Sequence, residues 1–158
     1  EDGQTSPHGL EQVEFIVRTN PGQPAKPLNK VASGGELSRI SLAIQVACAA
    51  KTNVATLVFD EVDVGIGGGT APIVGKLLRE MGQAHQGLCV THLPQVAAQG
   101  HTHLHVNKQT RRNQTHTDIS KLSQDETVSE IARMLGGLKI TEQTLAHARE
   151  MIAESQGS

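Results

Sequence analysis

The sequence predicts an α/β fold, a mainly parallel sheet flanked by helices, with a short antiparallel excursion. Three observations predict it. Residues 55–59 (ATLVF) and 87–91 (GLCVT) are short apolar runs, the pattern of strands buried on both faces of a parallel sheet. Between them Ile73, Val74, Leu77, Leu78 and Met81 recur at helical spacing, and strand, helix, strand implies a right-handed crossover. The chain has 158 residues, 37% of them apolar, enough for one domain with a real core. Residues 1–158 are therefore read as a single domain, with 1–9 expected to be disordered or foreign to it.

Each element follows from local pattern. Residues 13–18 (VEFIVR) are β-branched and aromatic and run into the Pro/Gly-rich break 20–27 (NPGQPAKP), so a strand leaves into a loop. From about 34 to 50, Leu37, Ile40, Leu42, Ala43, Ile44, Val46 and Ala47 mark a helix. The strand at 55–59 ends on Asp60 and Glu61, a glycine cluster occupies 65–69, and Thr70 is placed to cap the next helix. Pro94 opens a short helix (PQVAA) that Gly100 closes. Residues 101–108 and 115–122 alternate as a hairpin would. Residues 125–135 and 141–153 are helical, separated by Gly136-Gly137.

Composition excludes several functions. Fourteen Lys+Arg against sixteen Asp+Glu leave a net charge of −2, so no global basic field draws the chain to nucleic acid or an acidic membrane. Phe15 and Phe59 are the sole aromatics among Phe, Tyr and Trp, which leaves almost nothing for bases to stack on. Cys48 and Cys89 form no CxxC and read as small core residues in a reducing, cytoplasmic setting. No run approaches the roughly 18 apolar residues of a membrane span, and the polar start EDGQTSPHG is unlike a signal peptide. Because it begins without Met, the chain is read as a piece of a longer protein.

Three clusters carry chemistry. Ser33-Gly34-Gly35-Glu36 at the mouth of a helix offers free backbone N–H groups, the positive end of the helix dipole and a hydroxyl, as phosphate binding requires; by itself it is also an ordinary N-cap and turn. Asp60 and Glu61 stand at the carboxyl end of a strand, where ligands of open α/β sheets bind. Asp60 suits a Mg²⁺ shell and Glu61 a general base. His92 ends the neighbouring strand, where it would donate to a terminal phosphate oxygen and orient the attacking water. Other candidates are weaker. His101, His103 and His105 alternate but lack a fourth ligand, so they read as a solvated strand face. Lys108, Arg111 and Arg112 form a basic knot best read as solvated turn charges, and Arg39 is spaced to pair with Glu36 at i,i+3.

Together these clusters resemble the ATPase head of the ABC superfamily: a signature loop at Ser33 to Glu36, Walker B with its catalytic acid at Asp60 and Glu61, and a switch histidine at His92. At finer grain, VASGGELSRISLAIQ, LVFDEVDVGIGGGTA and CVTHLPQVAAQGH resemble the RecN family of bacterial DNA-repair proteins, relatives of the SMC chromosome-organising ATPases. The resemblance implies the C-terminal lobe of a P-loop NTPase head split by a long coiled coil. It further implies that Ser33, Gly34, Gly35 and Glu36 meet the γ-phosphate of ATP held by a second head. Asp60 would serve Mg²⁺ through water, Glu61 would activate water, and His92 would sense the γ-phosphate. The implied partners are the chain's own N-terminal lobe, a second head in an ATP-dependent homodimer, and DNA during double-strand break repair; no membrane is implied.

The departures from that pattern are specific. No GxxxxGK[ST] loop is present: the stretch from Gly69 to Lys76 is one residue too long and runs into Leu77. The chain alone is therefore expected not to cradle ATP. Gly67 also stands where many ABC heads have an Asp that contacts the opposing head. Two other readings remain, an SMC-like chromosome-organising head and a non-enzymatic module that senses nucleotide or dimerises.

Overall fold

In the computed structural model, which describes residues 9, 13–18, 22–30, 34–49, 54–60, 63, 65–111, 114–137 and 139–157, β1 (Ile16–Val17) pairs antiparallel with β2 (Lys26–Pro27). The expected strand at 13–18 thus contributes two residues, and Leu28 N–H closes the turn on the Phe15 carbonyl at 2.8 Å. The expectation for residues 1–9 falls almost wholly outside the described residues. Helix α1 (Gly34–Ala49) follows, beginning where the sequence places it.

The expected strand, helix, strand order forms. Strand β3 (Thr56–Phe59), helix α2 (Thr70–Met81) and strand β4 (Gln86–Cys89) make one βαβ unit, with β3 and β4 parallel in the register Phe59↔Cys89. Leu57 and Phe59 face the helices, where Leu42, Phe59, Ile66, Ala71 and Val74 form a buried core. Phe59 is 2% exposed, and burying such a side chain stabilises by roughly 1.5–3 kcal/mol. Short helix α3 (Pro94–Ala97) adds Val96 to this core and leads directly into Ala98 of a second one. In chain order the hairpin β5 (Leu104–Arg111) and β6 (Gln114–Lys121) comes next, followed by the terminal helices α4 (Gln124–Gly136) and α5 (Glu142–Gln156). Ile131, Ala132 and Ala148 of these helices complete the second core.

Several expectations are corrected. The sheet is not mainly parallel: among the described residues there are three two-stranded sheets, and only β3–β4 is parallel. The crossover supplies one parallel pair and the turn-linked strands necessarily pair antiparallel. Nor are β3 and β4 buried on both faces. Val58, Leu88 and Val90 are exposed, because the helices cover one side of the pair alone. Thr70 is the first residue of α2 rather than its cap; Gly69 occupies the cap position, without a side-chain bond. Cys48 is exposed on α1, and Cys89 as a residue is exposed too. The Cys89 thiol is nevertheless pushed up to about 11, by burial and then by the charge of Asp63. Two of the three alternating histidines precede the strand: His103 Nε2 lies 2.7 Å from the Ala97 carbonyl, and only His105 belongs to β5. Among the described residues no ion pair joins Arg39 to Glu36.

Candidate functional site

The site is assembled by turns that follow the two parallel strands. Asp60 is exposed directly after β3, and His92 follows β4, so the parallel register brings both to one end of the pair. At that end Asp63 is 1% exposed, the one buried carboxylate among the described residues. Its Oδ2 accepts from the Thr91 hydroxyl, from the His92 N–H at 2.9 Å and from the Leu93 N–H at 3.3 Å. The same oxygen lies 3.2 Å from His92 Nδ1, while the His92 side chain is 70% exposed. Burial alone would raise the Asp63 carboxyl. The Thr91 hydroxyl, the His92 N–H and the nearby His92 ring outweigh it and hold the group below its ordinary value.

The beginning of α1 reaches the same turn. Gly34 is exposed, while Gly35 and Glu36 are half-buried in the first helical turn, where backbone N–H groups lack helical partners. Gly35 packs backbone to backbone on Gly65, which holds φ +73°. A Cβ built on Gly65 would sit 2.7 Å from the Gly35 Cα, and one on Gly35 would sit 2.9 Å from the Gly65 carbonyl oxygen. Only glycine meets both demands at position 65, the left-handed backbone and the contact. The first turn of α1 thus meets Gly65, and the His92 turn meets Asp63, both shortly after Asp60 in the chain. Ser33 and Glu61 lie outside the described residues, as do Arg112 and the Arg111 side chain of the basic knot. Lys108 is exposed.

Asp63 is the residue that sequence reasoning missed. Its signal was an acid set between Val62 and Val64, in the stretch between a strand and the glycine cluster. A carboxylate in such an apolar setting must find donors from elsewhere in the chain.

The stretch with the closest spacing to a phosphate-cradling loop does something else. Residues 70–81 are helical, and Gly75 is buried where α2 meets α3; a Cβ there would lie 3.0 Å from the Gln95 carbonyl oxygen. As for a cation, Mg²⁺ needs one or two carboxylates beside waters and phosphate oxygens, and the exposed Asp60 fits that demand. No cluster of three or more His, Cys, Asp or Glu suited to a metal occurs among the described residues.

The fold defines the class first. The chain superposes on a solved structure described as "Structural biochemistry of ATP-driven dimerization and DNA stimulated activation of SMC ATPases", with TM-score 0.58 and 18% identity over 75% of this chain and 70% of that one. Its α/β fold is similar to that of this SMC ATPase structure. No family model matches the chain. Among curated proteins, the DNA repair protein RecN of Vibrio cholerae is 57% identical over 152 residues, 96% of this chain and 27% of that protein. RecN of Haemophilus influenzae is 55% identical over 94% of the chain and 27% of its own length, and RecN of Bacillus subtilis 41% identical over 96% and 26%. The chain belongs to the RecN family and spans about a quarter of the length of these relatives.

Proposed function

We propose that this chain is the C-terminal lobe of an ATP-hydrolysing head that pairs with a second head around ATP and acts in recombinational repair of DNA double-strand breaks in the bacterial cytoplasm, at the nucleoid. One observation supports the reading: the start of α1 packs on Gly65 and the His92 turn bonds to Asp63, both shortly after the Asp60 end of β3. In this reading Ser33, Gly34, Gly35 and Glu36 contact the γ-phosphate of ATP bound to the opposing head. Asp60 holds Mg²⁺ through water, Glu61 takes a proton from the attacking water, and His92 contacts the γ-phosphate. Bound Mg²⁺ would supply charge neutralisation at the phosphates.

The β- and γ-phosphates of a head's own ATP are held by an N-terminal lobe of the full-length protein. The helical state of residues 70–81 supports that division, and the chain alone is then inactive toward ATP. The test uses the full-length protein in two arms. Glu61→Gln should lower steady-state ATP turnover by about 100-fold or more while nucleotide still binds. Ser33→Arg should abolish ATP-driven pairing, followed by light scattering, and leave ATP binding to each head intact. Unchanged turnover in the first arm removes Glu61 from its role; normal pairing in the second removes the signature assignment.

A further inference from the structure

A buried carboxylate is costly unless it is fully partnered, and Asp63 is partnered almost entirely by the His92 turn. Backbone N–H groups of two successive residues and the hydroxyl of a third converge on its Oδ2, so the path of residues 91–93 is fixed against the turn after β3. Leu93 N–H also lies 3.0 Å from the Thr91 hydroxyl oxygen, which ties the turn to itself. These bonds would latch a loop whatever residue stood at 92. The contact with the ring is different in kind. An ionised carboxylate accepts and cannot donate, so it favours a hydrogen on the imidazole nitrogen 3.2 Å away over a bare lone pair there. With Nδ1–H turned inward, Nε2 is the atom left on the exposed edge of the ring.

We propose that Asp63 is a positioning residue for the hydrolytic reaction: it fixes the rotamer and tautomer of His92 so that Nε2, and not Nδ1, faces the γ-phosphate and the attacking water. This rests on the head-domain reading above. Asparagine at 63 separates latch from orienter. Its amide oxygen retains an acceptor for the backbone N–H groups at the Oδ2 position, but as a neutral acceptor it holds a hydrogen on the facing Nδ1 less strongly than the carboxylate does.

The experiment uses full-length protein carrying Asp63→Asn, His92→Ala, both together, and Glu61→Gln as reference. Asp63→Asn should lower kcat roughly 10- to 100-fold with ATP affinity within about threefold of wild type. In the double variant the loss should match that of His92→Ala alone, because Asp63 acts through the ring. Multiplied losses, or a normal kcat in Asp63→Asn, overturn the proposal. Nitrogen NMR of histidine-labelled wild-type protein gives a readout that needs no variant: His92 should carry its hydrogen on Nδ1, and a ring protonated on Nε2 alone overturns the assignment. The two readings fail separately. Normal turnover in Glu61→Gln sinks the head-domain reading, whereas a slow Glu61→Gln beside a normal Asp63→Asn sinks the role of Asp63 alone.

Discussion

Position 65 concentrates two demands that only glycine satisfies, a φ of +73° and a backbone neighbour where a Cβ would need space. Gly65→Ala should therefore cost about 1–3 kcal/mol from the backbone conformation alone, with the contact against Gly35 adding to it. Gly67 has nothing within 4 Å of its would-be Cβ, so Gly67→Ala should stay within about 0.5 kcal/mol of wild type. Denaturant midpoints of the two variants check the contrast, and similar midpoints would mean that the contact with α1 is not held in solution. Two positions earlier, the carboxyl of Asp63 makes a pH prediction. Its folded value lies below the ordinary 3.8, so its contribution is complete above that value and is lost as pH falls from there through the folded value. The Glu126 and Glu130 carboxyls are lowered as well, the first by its bonds to Ser123 and the second by Arg133, but they remain in both proteins being compared. Below about pH 4, wild type should lose stability more steeply than Asp63→Asn, which has no proton to take up at 63. Parallel pH profiles would show that folding does not lower the Asp63 carboxyl.

At the scale of elements, helix α2 shows a balance of effects. Alanine is a better helix former than glycine by about 1 kcal/mol, so propensity alone favours Gly75→Ala. Against that, a methyl at 75 would meet Gln99 Cγ at 2.8 Å, the Gln95 carbonyl oxygen at 3.0 Å and the Val96 Cα at 3.2 Å. The Gln99 side chain can move, but the backbone of α3 is pinned by Pro94 and Val96 in the core and by the Arg79 bond to the Gln99 carbonyl at 2.7 Å. Gly75→Ala should therefore lower the thermal midpoint, Gly75→Val should lower it further, and a rise with alanine would show that α3 yields freely. Helix positions were legible in the sequence because their signals are local. The starts at Gly34 and Pro94 fall where the pattern puts them, and Ser123 and Thr141 sit at the caps of the last two helices with reciprocal bonds to Glu126 and Thr144. The burial of β3 and β4 was not legible in the same way. An apolar run reports that both faces tend to be covered, not whether the covering chain is part of this segment. Asp63 was hidden for a related reason, since its partners lie 28 to 30 residues away along the chain.

That difference in covering is a property of the molecule as a whole. Along the side of β3 and β4 away from α1 and α2, Val58 is 64% exposed, with Leu88 opposite it in register and the exposed Val90 two residues on. On the hairpin, Leu104 and Val106 share a face with Ile119, which pairs directly with Val106, and all three are exposed. Water-facing valine and leucine in the middle of a parallel pair are unfavourable at about 25 cal/mol per Å² of apolar surface, and parallel sheets occur almost only with both faces covered. The curated relatives are about four times as long as the segment they share with this chain, so they hold ample chain to supply the cover. In the proposed head that cover is the N-terminal lobe. Its presence can be read from one thiol: with Cys48 and Cys89 changed to serine, Val58→Cys should react with an alkylating reagent at the rate of an open side chain in the 158-residue chain. In the full-length protein it should react at least about tenfold more slowly, because even about 1.4 kcal/mol of burial free energy suppresses the open state by that factor. Equal rates in the two proteins would mean that this face stays open and that the rest of the head is built against some other surface.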